Sequence, residues 1–156
     1  MRRIFNFPTF SFLLFFILTA CNTSYTLEEK LNFVDQAEKY AKKHNWNYTV
    51  VDKSIVVEVL EKGSETETIQ LGSEVSISYI GRLSNNKKFD QATVNKPFVS
   101  RLDGMIGGFQ MGLLGKTKGT KLRLVIPPQF GYGDKKTGEI PENSLLIFEV
   151  EIVDVK

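Results

Sequence analysis

The chain reads as an α+β domain with a helix in front of it, in which a curled antiparallel sheet wraps around one short helix. Three observations predict this. Apolar residues alternate with polar ones in several short segments between residues 47 and 156. One short helical stretch bounded by glycines lies among those segments. Ahead of them, a charged segment carries apolar residues three and four apart.

Residues 1–20 are set aside first, because a targeting segment distorts any compositional argument. Arg2 and Arg3 give a positive start, residues 4–18 an apolar run rich in Phe, and Leu18-Thr19-Ala20-Cys21 a small-residue cleavage site. The run is interrupted by Asn6, Pro8 and Ser11 and falls short of the roughly 20 apolar residues of a membrane span. Residues 1–20 are therefore expected to be a signal peptide. The Leu18-Thr19-Ala20-Cys21 tetrapeptide resembles the lipobox of bacterial lipoproteins, which implies that Cys21 becomes the acylated first residue. Several acyl chains, at about 0.8 kcal/mol per buried methylene, suffice to hold a protein on a bilayer. Asn22 is not an acidic retention signal by resemblance to lipoprotein sorting, which favours the outer membrane.

Cys21 is the one cysteine, so there is neither a disulfide framework nor a thiolate metal site. Without Arg2 and Arg3, the 20 Lys and Arg side chains fall to 18 against 18 Asp and Glu. A balanced surface argues against nucleic acid as a partner, since that binding is dominated by phosphate neutralisation. About 136 residues remain, enough for one domain with one core.

A helix is predicted over residues 26–43, with Thr26 and Glu29 spaced as a capping box. Leu27, Leu31, Val34, Ala37 and Ala41 form its apolar stripe, suited to packing beside the domain or, alternatively, to a dimer contact. The period then changes to strands at 47–51 and 54–60, followed by a polar loop at 62–68. Residues 21–70 thus form the lipid attachment point, the helix and two leading strands. Val75, Ile77 and Tyr79 alternate with Glu74, Ser76 and Ser78. Leu122, Leu124 and Ile126 alternate with Lys121, Arg123 and Val125 and stop at Pro127-Pro128, which cannot continue a central ladder. Leu146, Phe148, Val150 and Ile152 share one face of the last strand. Gly107-Gly108 opens a helical stretch at 109–114, closed by Gly115, in which Phe109 and Leu113 share a face.

Taken in order, Tyr79-Ile80-Gly81, Phe89-Asp90, Pro97-Phe98, Met105-Ile106-Gly107-Gly108-Phe109, Gly112, Gly119, Pro127-Pro128-Gln129-Phe130-Gly131-Tyr132-Gly133, Ile140-Pro141 and Leu146-Ile147-Phe148 resemble the signature segments of the FKBP-type peptidyl-prolyl cis/trans isomerases. Each fragment is weak alone; their joint order and spacing are specific. The resemblance covers residues 71–156 and implies an FKBP-like five-stranded antiparallel half-barrel sheet around a short helix. It also implies isomerisation of Xaa-Pro bonds; the sequence itself shows no metal cluster and no phosphate loop, so no cofactor and no metal are expected. The partners the resemblance implies, together with the signal segment, are proline-containing exported polypeptides, with macrolide inhibitors as further ligands of the pocket.

Residue by residue, the resemblance makes Phe109 the pocket floor and Tyr79 and Phe148 its walls, with Phe89 and Phe98 at further pocket positions. Ile106 donates its backbone N–H to a substrate carbonyl, Tyr132 its hydroxyl to another, and Asp90 polarises one side. Met105 and Ile140 line the rim. Apart from the resemblance, Phe89 and Phe148 read equally well as core and Asp90 as a turn residue. His44 reads as inert, and Lys87-Lys88 as a solvated hairpin tip. The sequence departs from the family where Phe109 stands for a common Trp, where Ser100 stands for a frequent second aromatic, and in a short loop at 134–139. These departures imply a wider pocket with weaker turnover or macrolide affinity, and keep a non-catalytic proline-peptide-binding or chaperone protein as the alternative function.

Overall fold

The computed structural model describes residues 25–63 and 67–156. The expected signal peptide, the lipobox with Cys21 and part of the 62–68 loop lie outside the described residues.

Helix α1, Leu27–Lys43, begins with the expected capping box. The Glu29 N–H donates to the Thr26 hydroxyl at 3.2 Å, and the Thr26 N–H donates back to the Glu29 carboxylate at 2.7 Å. The Thr26 N–H, and then the Thr26 hydroxyl, both donating to the Glu29 carboxylate, hold its carboxyl below the ordinary value. At the other end the Trp46 N–H reaches the Ala41 carbonyl and the Asn45 N–H the Lys42 carbonyl. Asn45 adopts φ 56°, so the helix closes in a Schellman turn. Trp46 is thereby folded back edge-on to Tyr40, with the Arg123 guanidinium 5.5 Å above its ring.

Among the described residues seven antiparallel strands follow: β1 Thr49–Val51, β2 Ile55–Glu61, β3 Glu74–Leu83, β4 Lys88–Ala92, β5 Phe98–Arg101, β6 Lys121–Ile126 and β7 Leu146–Val155. Helix α2, Gly107–Leu113, lies between β5 and β6. The sheet order is β1-β2-β6-β7-β3-β4, with β5 beside β3. Strands β3 to β7 are the five expected in residues 71–156; the two leading strands join the same sheet through the pairing of β2 with β6.

The two faces of the sheet bury different things. Leu122, Leu124, Ile126, Leu146, Phe148, Val150 and Ile152 face α2 in the main core, which Ile55 and Val57 of β2 also enter. Val56, Val125 and Ile147 point the other way, beneath Ala37 and Ala41 of α1. Alternation places Val125 with the outward-facing Lys121 and Arg123; α1 buries it instead. Only the C-terminal half of the α1 stripe is covered, since Leu27 and Leu31 remain 73% and 58% exposed.

Helix α2 starts two residues earlier than its periodicity suggests, with Gly107 and Gly108 inside it. The reason is contact: a Cβ on Gly108 would sit 2.4 Å from the Ile126 side chain, so glycine lets the helix lie directly on β6.

Candidate active site

Strand β3 organises the site because two strands share its free edge. Its first half pairs with β5, Ile77 opposite Phe98, and its second half with β4, Gly81 opposite Asp90. Residues opposite or diagonal across an antiparallel pair share a face. Tyr79, Asp90 and Phe98 therefore meet on the inner side.

The register slips between Gly81 and Arg82, the latter pairing with Lys88 and leaving Phe89 as an extra residue. Successive residues of a regular strand point to opposite faces. This bulge lets both Phe89 and Asp90 line one cavity. Gly81 completes the arrangement: a Cβ there would stand 2.7 Å from the Phe89 ring and 2.9 Å from Phe148.

The cavity encloses about 220 Å³ and is lined by Tyr79, Phe89, Asp90, Phe98, Gly104, Met105, Ile106, Phe109, Tyr132 and Phe148. Phe109 and Phe148 pack with ring centroids 4.7 Å apart, and Tyr79 stands edge-on to Phe148 at 5.7 Å. Phe89 meets Phe148 perpendicularly at 5.6 Å, and Phe98 meets Tyr79 at 6.2 Å near the mouth. Edge-to-face and tilted pairs of this kind add about 0.5–1.5 kcal/mol each beyond the area they bury, which favours the packed arrangement of the apolar walls.

The polar groups are few. The Tyr79 hydroxyl donates to Asp90 Oδ2 at 2.5 Å, and the Gln91 N–H donates to Asp90 Oδ1 at 2.8 Å. The carboxylate is thus oriented from both sides. Burial raises the Tyr79 phenol strongly, and the hydrogen bond and charge of Asp90 add to it. Burial, and then the Asp90 charge, also raise Tyr132. Both phenols therefore stay protonated and act as donors. Among the described residues, neither the Tyr132 hydroxyl nor the Ile106 N–H has a hydrogen-bond partner, so two donors are open at one cavity.

A pH expectation follows. A phenol whose folded value is raised contributes stability that is present below its unfolded value and is lost as pH rises through the folded one. Unfolding midpoints should show no phenol-linked loss up to about pH 9 and fall above the ordinary phenol value of 10.0. The fall should be smaller in Tyr79→Phe, as followed by thermal melts against pH.

Nine of the ten expected pocket residues are brought together. The exception is Ile140, which was expected at the rim: it is 6% exposed, belongs to the main core and does not line the cavity. Its loop is closed by paired backbone bonds with Thr137, and its side chain packs in the main core. Ser100 donates to the Arg101 carbonyl and is likewise absent from the lining. Gly104 lines the cavity without having been singled out, and a glycine in a single-turn helix carries no sequence signal of that. Among the described residues no group of His, Cys, Asp or Glu is placed to hold a metal ion. Among them, too, no helix is long and apolar enough to cross a membrane.

The sheet curled over α2 and the aromatic cavity with two open donors define the class, and the chain belongs to the family described as FKBP-type peptidyl-prolyl cis-trans isomerase, whose model matches residues 65–153. Among individual proteins, it is 35% identical over 142 residues to the isomerase FkpA of Buchnera aphidicola (subsp. Schizaphis graminum), a match covering 88% of this chain and 55% of the relative. The chain thus spans about half the length of that curated relative. The crystal structure of FkpA from Escherichia coli superposes with a TM-score of 0.70 at 34% identity, covering 83% of this chain and 62% of that one. The crystal structure of a peptidyl-prolyl cis-trans isomerase from Pseudomonas syringae pv. tomato gives 0.68 at 28% identity, covering 86% of this chain and 99% of that one.

Proposed function

We propose that this protein accelerates cis/trans exchange about Xaa-Pro bonds of exported polypeptides while held at a membrane by lipid on Cys21. The observation that carries the reading is the pairing of packed aromatic walls with the two open donors, the Ile106 N–H and the Tyr132 hydroxyl.

Rotation about the peptide bond breaks amide resonance, a barrier of about 18–20 kcal/mol. No covalent bond is cleaved, so no nucleophile is needed. The planar amide is stabilised by charge-separated resonance, which water favours. Moving the prolyl amide among Tyr79, Phe109 and Phe148 withdraws that solvation, while donors placed for the twisted form stabilise the transition state selectively. Phe109 and Phe148 form the apolar floor and wall, the Ile106 N–H and the Tyr132 hydroxyl take the flanking carbonyls, and Asp90, fixed by Tyr79, polarises the open side. At about 220 Å³ the cavity is smaller than the roughly 300–1,000 Å³ pockets that enclose whole drug-sized ligands. That suits a single proline ring entering from a chain that continues outside, and a macrolide would occupy the same floor with the rest of its body on the rim.

The signal-peptide layout of residues 1–20 and the lipobox around Cys21 support export and lipidation, and Asn22 favours the outer membrane. In that setting the clients are newly exported chains whose folding waits on proline, a step of tens to hundreds of seconds without catalysis.

One observation favours a second reading, a chaperone that grips proline segments without turnover: Phe98 and Val99 of β5 are 42% and 50% exposed, Phe98 at the cavity mouth. Refolding of a protein whose slow phase is limited by proline isomerisation separates the two. An isomerase raises the rate constant of the slow phase at substoichiometric amounts. A chaperone changes the yield and leaves that rate constant alone, the outcome that would overturn the proposal.

A further inference from the structure

The peptide joining Met105 to Ile106 carries one of the two open donors, and its opposite end is held. Gln110, one turn into α2, directs its side-chain Nε2 at the Met105 carbonyl, 2.8 Å away, and at the Asp103 carbonyl, 3.3 Å away. Both neighbours are acceptors, which fixes the amide with its nitrogen toward them. The Gln110 backbone N–H also reaches the Ile106 carbonyl at 3.2 Å. One residue therefore clasps the peptide units on both sides of Ile106. Gln110 is half-buried, on a helix whose Phe109, Gly112 and Leu113 are buried. It does not line the cavity.

A peptide unit is planar and trans, so its C=O and N–H point in opposite directions. Fixing the Met105 carbonyl toward Gln110 fixes the Ile106 N–H away from Gln110, on the side where Met105 and Ile106 line the cavity. A carbonyl that accepts a hydrogen bond also polarises its own peptide and makes the attached N–H a stronger donor.

We propose that Gln110 is a positioning residue for prolyl isomerisation: its side-chain amide aims and polarises the Met105–Ile106 peptide so that the Ile106 N–H meets the substrate carbonyl. The inference rests on the isomerase reading for its consequence, and its geometry can be tested without it. Gln110 touches no substrate; it acts through Ile106.

Three variants of the full chain separate this role from packing. Gln110→Ala removes the donor, Gln110→Glu keeps the shape but turns an oxygen toward two carbonyls, and Gln110→Lys restores a donor. kcat/KM on a Phe-Pro peptide should fall by about tenfold or more in the Ala and Glu variants, and Lys should recover most of it. In the free protein labelled with ¹⁵N, the Ile106 amide proton should move upfield in Ala and Glu and return toward its original position in Lys.

Wild-type kcat/KM in a folded Gln110→Glu overturns the proposal, and so does a loss of rate with the Ile106 resonance unmoved. If the unaltered protein accelerates nothing, the isomerase reading fails, and the Ile106 resonance alone then decides the positioning: displacement in Ala and Glu with return in Lys upholds it, and no displacement overturns it.

Discussion

Replacing Asp90 by Ala and Tyr132 by Phe together is expected to lower kcat/KM on a Phe-Pro peptide by about a hundredfold while leaving the protein folded. Tyr132→Phe removes an open donor and nothing else, since the ring stays and the hydroxyl has no partner among the described residues. Asp90→Ala removes the carboxylate that the Tyr79 hydroxyl and the Gln91 N–H hold in place. A hydrogen bond made in the transition state is worth about 1–3 kcal/mol, and each 1.36 kcal/mol is about tenfold in rate. Loss of the Tyr132 hydrogen bond and of the polarisation by the Asp90 carboxylate, each taken at about 1.4 kcal/mol, gives the expected drop. The stability cost is small, because Asp90 lies on an exposed strand and water can reach the released Tyr79 hydroxyl; thermal midpoints should shift by only a few degrees. Initial-rate assays alongside melts check both halves. Unchanged activity in the double variant would remove Asp90 and Tyr132 from the mechanism.

Phe148→Ala is expected to have the largest effect on stability, about 3–5 kcal/mol, because this ring belongs to the core and the cavity at once. It is 2% exposed and packs against Phe109, Phe89 and Tyr79. Deleting it leaves a void that the surrounding rings fill only in part, and large aromatic truncations in cores cost about that much. Marginal stabilities of about 5–15 kcal/mol make this a large share. Activity should vanish with it, since the wall between Tyr79 and Phe109 is gone. Phe98→Ala is the useful contrast. At 42% exposure it should cost little stability and act mainly on peptide affinity. Denaturant melts of the two variants measure the difference; equal destabilisation would show that the mouth residue is also structural.

The site is only partly legible in the sequence. Phe109 and Phe148 stood out because period and resemblance agreed on them, and the capping box at Thr26 was readable because it is local. What escaped depends on non-local geometry. Nothing within 88–92 announces that Phe89 is a bulge residue, so an inward Phe89 beside an inward Asp90 contradicts simple alternation. The same is true of Val125, whose burial depends on α1 arriving from some eighty residues upstream in sequence. The resemblance puts Ile140 at the rim, whereas the fold buries it in the core, in a loop closed by backbone pairing with Thr137. Gln110 gave no signal, because a polar residue on a short helix is ordinary until its carbonyl partners are seen. The leading strands were expected as strands, whereas their place in the main sheet beside β6 is a tertiary fact.

The central claim is that this cavity turns over prolyl bonds, and the most direct measurement is the cis-to-trans rate of short Xaa-Phe-Pro and Xaa-Leu-Pro peptides. The protein should be a soluble form starting after Cys21, assayed with and without a macrolide inhibitor of the family. The account predicts acceleration that the macrolide abolishes. No acceleration from a demonstrably folded domain would contradict it and leave a binding module in the place of an enzyme.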